Sequence, residues 1–355
     1  MKLLTRSNVV VILLATVFVV LFAPLRGTAE LSLEPSFASW LENGGSGQPD
    51  AASLTFLTVP SSLVVTDAKG VYRSFTAQGH ISHGKTQYIS WDDRHTALQV
   101  RGGDGQIVQE VNSIGFPVFF ENSLFLVSRT GDTLSSFGND NQFRWQFAAG
   151  DLLTHLAVLK DERTVLQTLG GDLIVVSQTG KELFRAHPAG SRSQVGLGLC
   201  TGSSNTLYGV FGIAPQMLIA YQLVKGKDGL TEKWRMDIGS DFRRDVFIQP
   251  LWNGERVAVE SNDGILVVNR SGRVEARIPI EDTITKIFDD GGRHPWFFVL
   301  HDGPNGSMLD AYTSVGQKVF SIGPSGKVHD AAWSGDRTIV MVGADGLRGY
   351  KVAER

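Results

Sequence analysis

The sequence has a single cysteine, Cys200, among 355 residues, so neither an internal disulfide framework nor a thiolate metal cluster can be built from it. Charge is scarce as well: 19% of residues are Asp, Glu, Lys or Arg, and 33 basic against 36 acidic side chains leave a net charge of −3. That balance supplies no basic stripe to neutralise phosphates, which argues against nucleic acid as a partner. Long solvated helices and coiled coils need dense charge on their outer faces and are disfavoured for the same reason. What the chain has instead is glycine, 40 residues of it, with a hydrophobic fraction of 42%. This is the mixture of a turn-rich β protein, long enough for one large domain or two of medium size.

There is one long apolar run, Val9 to Ala23, interrupted only by Thr16. Lys2 and Arg6 precede it, Pro24 ends it, and Gly27-Thr28-Ala29 offers the small residues a signal peptidase reads, with a cut before Glu30. About 15 apolar residues fall short of the roughly 20 that span hydrocarbon comfortably. Residues 1–29 therefore read as a signal peptide, with an uncleaved anchor as the alternative, in which case Val9–Ala23 keeps the protein at the membrane. Either way the positive-inside bias places the remainder outside the cytoplasm, in the periplasm or on the outer face of the cytoplasmic membrane. No cysteine stands near the cut to take a lipid, and no second apolar run follows.

Residues 30–52 read as a leader. Phe37, Trp40 and Leu41 recur at helical spacing within Ser36–Glu42, which predicts a short amphipathic helix with Trp40 folded back on the body, and Gly44–Asp50 reads as a flexible tether. From residue 53 to 355 the helical period disappears and an internal repeat takes over. Each copy holds a polar turn, an apolar strand, a second turn and a strand carrying an aromatic. The clearest copies are Gly131–Trp145, Gly171–Phe184 and Asp263–Ala276. An anchor residue recurs as Leu63, Leu98, Leu134, Leu173, Leu218, Ile265, Leu309 and Leu347, at intervals of 35, 36, 39, 45, 47, 44 and 38. A glycine follows seven residues after the anchor at Gly70, Gly105, Gly180, Gly272 and Gly316, where a tight hairpin needs positive φ. Further alternating runs precede the anchors, such as Thr86–Trp91 and Arg256–Glu260, making four short strands per period.

Four antiparallel strands in about 40 residues, repeated around a ring, predict an all-β propeller of four-stranded blades. The terse G-D-x-L…G-K-x-x-[WF] units resemble the pyrroloquinoline-quinone-like (PQQ-like) branch of the propeller superfamily more than its WD40-like branch. Trp145, Phe184, Trp234 and Phe320 take the aromatic position of that resemblance, whereas Ser74, Gln109 and Ala276 depart from it. Seven blades are expected: the chain ends one strand short of a complete blade, and Val71–Ala77 is the natural donor of the missing outer strand, with Leu54–Val65 as an extra leading segment. Eight blades is the alternative, if Leu54–Ala77 forms most of a blade of its own.

Motifs for chemistry are few. Gly79–Thr86 fits the phosphate-loop pattern G-x-x-x-x-G-K-[ST], but β-type alternation follows where the mechanism requires a helix, so Ser82–Lys85 reads as the turn between the first two strands of a blade. The eight histidines, His80, His83, His95, His155, His187, His294, His301 and His329, show no metal-ligand spacing. Asp289–Gly292 and His301–Gly306 lack the run of alternating oxygen ligands that holds calcium and read as solvated turns. Asp93, Asp132, Asp172, Glu260 and Asp263 precede motif strands and could converge on a central funnel, or could cap their own turns. True quinoprotein dehydrogenases resemble this chain only in the repeat, and one cysteine cannot supply their vicinal pair. No catalytic residue, cofactor or metal is therefore assigned.

Partner docking is the remaining reading, since Trp, Tyr and Arg dominate interface hot spots. Two loops carry them, Trp91–His95 with Trp91 and Arg94, and Ser240–Asp245 with Phe242, Arg243 and Arg244. Both occupy connection types that share one face of a propeller. The sequence thus predicts an exported, non-enzymatic propeller that serves as a protein–protein scaffold in assembly of a cell-envelope complex; the alternative is an enzyme or small-ligand binder using the central funnel.

Overall fold

The eight anchors are all buried, none more than 1% exposed, and each sits in a different sheet. The structure, a computed structural model, describes residues 31–39, 47–50 and 53–354 other than 78, 139, 141, 203–204, 225–227, 325, 336 and 345. The export segment, Trp40 and Leu41 lie outside the described residues. No helix among those described is long and apolar enough to cross a membrane.

The chain opens with β1 (Leu31–Ser39), which belongs to the last sheet. Blade one holds β2 (Thr55–Val59), β3 (Ser62–Thr66) and β4 (Tyr72–Thr76); blade two, β5 (His80–His83), β6 (Gln87–Trp91), β7 (Leu98–Gly102) and β8 (Ile107–Val111). Blade three runs β9 (Phe116–Phe120), β10 (Ser123–Val127), β11 (Thr133–Phe137) and β12 (Phe143–Ala148). Blade four is β13 (Leu153–Val158), β14 (Thr164–Thr168), β15 (Leu173–Val176) and β16 (Glu182–Ala186). Blade five follows with β17 (Ser193–Thr201), β18 (Thr206–Ile213), β19 (Met217–Leu223) and β20 (Leu230–Asp237). Blade six is β21 (Ile248–Leu251), β22 (Arg256–Ser261), β23 (Gly264–Asn269) and β24 (Val274–Pro279); blade seven, β25 (Thr283–Asp289), β26 (Trp296–Gly303), β27 (Gly306–Thr313) and β28 (Lys318–Ile322). Blade eight, β29 (Val328–Ser334), β30 (Thr338–Gly343) and β31 (Gly346–Glu354), is completed by β1 in the order β1-β31-β30-β29.

Among the described residues the ring thus has eight blades, seven of four strands and one of three, and the expectation of seven is corrected. Its error lay in the donor. Val71–Ala77 does not close the ring; Tyr72–Thr76 is the outer strand of blade one, and closure comes from Leu31–Ser39, which the spacing of aromatics had marked as leading into a helix. Pairing with the free edge of β31 satisfies a row of backbone groups at once, which outweighs a local helical preference in so short a segment. Nor is Gly47–Asp50 a loose tether: Gly47 O accepts from Arg73 Nε at 3.3 Å, and Asp50 N donates to Asp67 Oδ2 at 3.2 Å.

Blade one carries the second to fourth strands of the repeat, because its anchor Leu63 lies in β3 and its turn glycine Gly70 between β3 and β4, as Leu98 and Gly105 lie in and after β7. Its inner edge is turned to blade eight, where Thr58 N donates to Asp330 Oδ2 at 2.9 Å and Thr55 Oγ1 to Ser334 Oγ at 3.0 Å.

The aromatic position holds neighbouring blades together. Trp145, Phe184, Trp234 and Phe320 pair with Ser136, Val175, Ala220 and Ala311, in each case the residue two after the anchor. The bare α-carbon of the next blade's turn glycine then faces the indole: a Cβ on Gly180 would lie 2.7 Å from Trp145, and one on Gly272 2.8 Å from Trp234. Between the blades, apolar faces interdigitate. Val165, Leu173 and Val175 of blade four meet Leu207, Phe211 and Ile219 of blade five, all at most 2% exposed. Each such side chain contributes about 1.5 to 3 kcal/mol relative to exposure.

Candidate functional site

Because strands alternate in direction, the turns between second and third strands emerge on the same face as the links between blades. That loop face carries every residue singled out for docking. Trp91 is the last residue of β6; it is half-buried against Ile89, Leu98 and Val100, with His80 at 5.5 Å between ring centroids. Its Nε1 is buried without a hydrogen-bond partner among the described residues. Asp92 folds the following turn by accepting from Arg94 N at 2.9 Å, which leaves the Arg94 side chain exposed beside Trp91 in a groove between blades one and two. Arg129 of blade three ties the loop down by donating to Asp93 O at 3.0 Å and His95 O at 3.3 Å.

On the far side of the ring, the link between blades five and six is built around Glu260. This carboxylate is 4% exposed and takes two bonds from Arg244, Nη2 to Oε1 at 2.6 Å and Nη1 to Oε2 at 2.9 Å, and a weaker one from Phe247 N. Hydrogen bonding to Glu260 raises the Arg244 pKa further. The same guanidinium lies 4.4 Å from the centre of the Phe242 ring, and Phe242 O accepts from Gln216. Arg243 is exposed as well. The structure therefore joins Phe242 to Arg244 and Trp91 to Arg94, but it sets the two pairs apart across the axis.

Sequence reasoning missed the residues between them. Ile114, Phe116, Leu152, Leu169 and Phe247 are 50%, 42%, 46%, 46% and 36% exposed, all on the loop face of blades two to six. Leu152 and Leu169 are neighbours, since Leu169 N donates to Leu152 O at 2.7 Å while Asp151 accepts from Gly170 N at 2.6 Å. That bond from Gly170 leads the causes lowering the Asp151 pKa. No pattern marked them: Ile114, Leu152 and Leu169 sit in turns beside Gly115, Asp151 and Gly170, while Phe116 opens β9 and Phe247 follows Val246 just before β21.

The carboxylates considered for chemistry are spread among local partners. Asp132 accepts from Thr130, Ser128 and Thr133, led by Thr130 at 2.6 Å, which lowers its pKa. Asp172 binds Arg185 at 2.8 Å and His187 at 2.9 Å, Glu260 is committed to Arg244, Asp93 faces His80 at 3.4 Å, and Asp263 is exposed. In the phosphate-loop-like segment, Asn122 Oδ1 accepts from Lys85 N, Thr86 N and Thr86 Oγ1 at 3.1 to 3.2 Å, so a side chain of the next blade occupies the place of a phosphate oxygen. Asp290 Oδ1 likewise takes the N–H groups of Gly292, Arg293 and His294. No three His, Cys, Asp or Glu side chains among the described residues gather at metal-holding distance.

A family model described as a beta-propeller protein matches residues 3–300. The chain belongs to the β-propeller proteins. The match and the fold are in keeping with the propeller resemblance read from the repeat, and no curated protein matches the chain significantly in sequence. Among solved structures the propeller is similar to BamB from Moraxella catarrhalis, with a TM-score of 0.60 and 11% identity over 90% of this chain and 99% of that one. It also resembles the computationally designed Ika8 protein, with a TM-score of 0.59 and 16% identity over 87% and 98% of the two chains. The dihydro-heme d1 dehydrogenase NirN gives 0.55 and 13% over 76% of this chain and 60% of that one. At these identities the likeness is one of fold.

Proposed function

We propose that this propeller is an exported, non-enzymatic scaffold that docks a protein partner on its loop face, in assembly of a cell-envelope complex. The observation that carries the reading is the row of exposed apolar side chains, Ile114, Phe116, Leu152, Leu169 and Phe247, on links that a closed ring holds in fixed relation. Apolar side chains presented together and rimmed by polar groups mark protein contact sites. Preorganisation adds to this, because a stiff ring loses little further entropy on binding. Trp91 with Arg94 and Phe242 with Arg243 would extend the contact to either side, with a partner segment lying across the face or adding to a strand edge.

The test is site-specific photo-crosslinking in the native host. A photoreactive residue at Leu169 should give a discrete adduct that is absent when the probe replaces Val315, which is 69% exposed on the opposite face. Equal labelling from both positions would remove the case for a dedicated docking face.

A further inference from the structure

At the end of the axis opposite the loop face, the turns between first and second strands of blades two to seven close around a cavity of about 750 Å³. The backbone there is unlike that of the remaining turns on this face. Between third and fourth strands the left-handed position falls to glycine: Gly70, Gly105, Gly180, Gly272 and Gly316 all have φ between 80° and 82°. At the cavity, blades three to six place Glu121, Glu162, Asn205 and Asn253 in the same region, with φ of 55°, 64°, 61° and 56°. A left-handed residue with a Cβ costs about 1 to 2 kcal/mol, least for asparagine and nothing for glycine. The chain thus retains side chains where its backbone would be easier without them, and all four line the cavity.

The fold does not use these side chains for much. Glu162 has no side-chain partner among the described residues and is exposed; Asn205 Oδ1 is buried without one. Among the described residues the Glu121 carboxylate meets only Lys85, at 2.8 Å and with both groups about two-thirds exposed, a pair of little worth. The rest of the lining mixes the amides and hydroxyls of Asn122, Gln249, Ser123 and Thr201 with the apolar Phe120, Val158, Leu159 and Pro250. Its charges nearly cancel, Lys85 and Lys160 against Glu121, Glu162 and Asp289. An ion gains little from such a balance, and an apolar ligand would strip water from groups it cannot bond. Closely spaced acceptors, amides and ammonium donors suit a ligand whose every polar group both donates and accepts, which is the property of hydroxyls. The volume lies within the usual span of ligand sites.

We propose that this cavity binds a short neutral oligosaccharide, with its hydroxyls held by Glu121, Glu162, Asn205 and Asn253. The site is separate from the docking face, and the two readings stand or fall apart.

The test uses the full chain with maltotriose, cellotriose and chitotriose as probes, followed by saturation-transfer NMR and titration calorimetry, and an end-blocked triglycine as the peptide control. At least one trisaccharide should bind in the millimolar range or tighter, and the control should not. The double variant Glu121→Gly, Glu162→Gly removes both carboxylates while relaxing the backbone. It should melt no lower than wild type and bind the sugar about tenfold or more weakly, as expected for losing hydrogen bonds to charged acceptors. Failure of all three sugars, binding of the peptide in their place, undiminished binding by the double variant, or a lowered melting temperature would each overturn the proposal, the last by showing that the side chains serve the fold.

Discussion

The ring of Phe37 lies against the bare α-carbon of Gly70, so close that a Cβ there would come within 2.5 Å of it. Phe37 also pairs with Gly349, two residues after the anchor Leu347, and so takes in blade eight the aromatic position that Trp145 takes in blade three. One ring from the start of the chain thus bridges the last blade and the first. Phe37→Ala should cost about 2 to 4 kcal/mol, below the loss for a fully buried phenylalanine because the ring is only partly buried. Thermal melts would read the loss, and hydrogen exchange should show it concentrated in β1 and β31. Unchanged exchange there would mean that closure does not depend on this contact.

This arrangement explains what was legible in the sequence. All eight anchors were readable, one per blade, because a buried third strand imposes an apolar residue at a fixed phase. The five glycines after them were readable too, because positive φ restricts the residue type. The closing strand was not: its aromatic stands 310 residues before the anchor it serves, and periodicity cannot detect a repeat unit cut in two and placed at opposite ends. The two docking loops were visible through Trp91 and Arg243, but Leu152 and Leu169 were hidden, since an exposed leucine in a turn has no pattern that separates it from a core residue.

Gly180 and Gly150 share a φ of 82°, yet they differ in surroundings. A Cβ on Gly180 meets Trp145 at 2.7 Å, and one on Gly150 meets nothing within 4 Å. Gly150→Ala should therefore cost only the backbone strain, about 1 to 2 kcal/mol, while Gly180→Ala adds overpacking against the indole for a total of about 2 to 4 kcal/mol. Denaturant unfolding of the two variants side by side measures the difference. Equal losses would show that the indole shifts freely, and that it does not fix the spacing of blades three and four.

His301 sits between two carboxylates, Nδ1 at 2.8 Å from Asp282 and Nε2 at 3.2 Å from Asp310. Asp310 also gathers Tyr312 at 2.9 Å, Lys318 at 2.5 Å and Ser321, and these bonds hold its pKa far below the usual carboxylate range against the opposing effect of burial. Only an imidazolium can donate to both neighbours. The bond to Asp310, and behind it the bond to Asp282, accordingly raise the His301 pKa although burial opposes them. A raised folded-state value stabilises fully below the unfolded pKa of about 6.5 and fades as pH rises through the folded one. The melting-temperature gap between wild type and His301→Gln should thus be wider near pH 6 than near pH 9, by this linkage. The gap is the quantity to compare, because burial lowers the His83 and His155 pKa values and gives the parent curve an opposite trend. A gap that does not vary with pH would mean that His301 is not charged in the folded protein.

Arg243 and Arg244 are adjacent but should behave oppositely. Arg244→Ala strands Glu260, which is 4% exposed, and should cost about 1 to 3 kcal/mol; the loss is less than for a fully buried pair because the arginine side chain is itself 50% exposed. Arg243→Glu, at an exposed position, should leave stability within about 0.5 kcal/mol, and so should Leu152→Asp with Leu169→Asp, each leucine being 46% exposed. The loop-face adduct, formed in this series from a photoreactive residue at Ile114, should behave in reverse, retained on a folded Arg244→Ala protein and lost with Arg243→Glu or the leucine pair. Changing both arginines together would confound the two effects, so the single variants are the informative ones. Full adduct yield from a folded Leu152→Asp, Leu169→Asp protein would place the partner elsewhere on the ring.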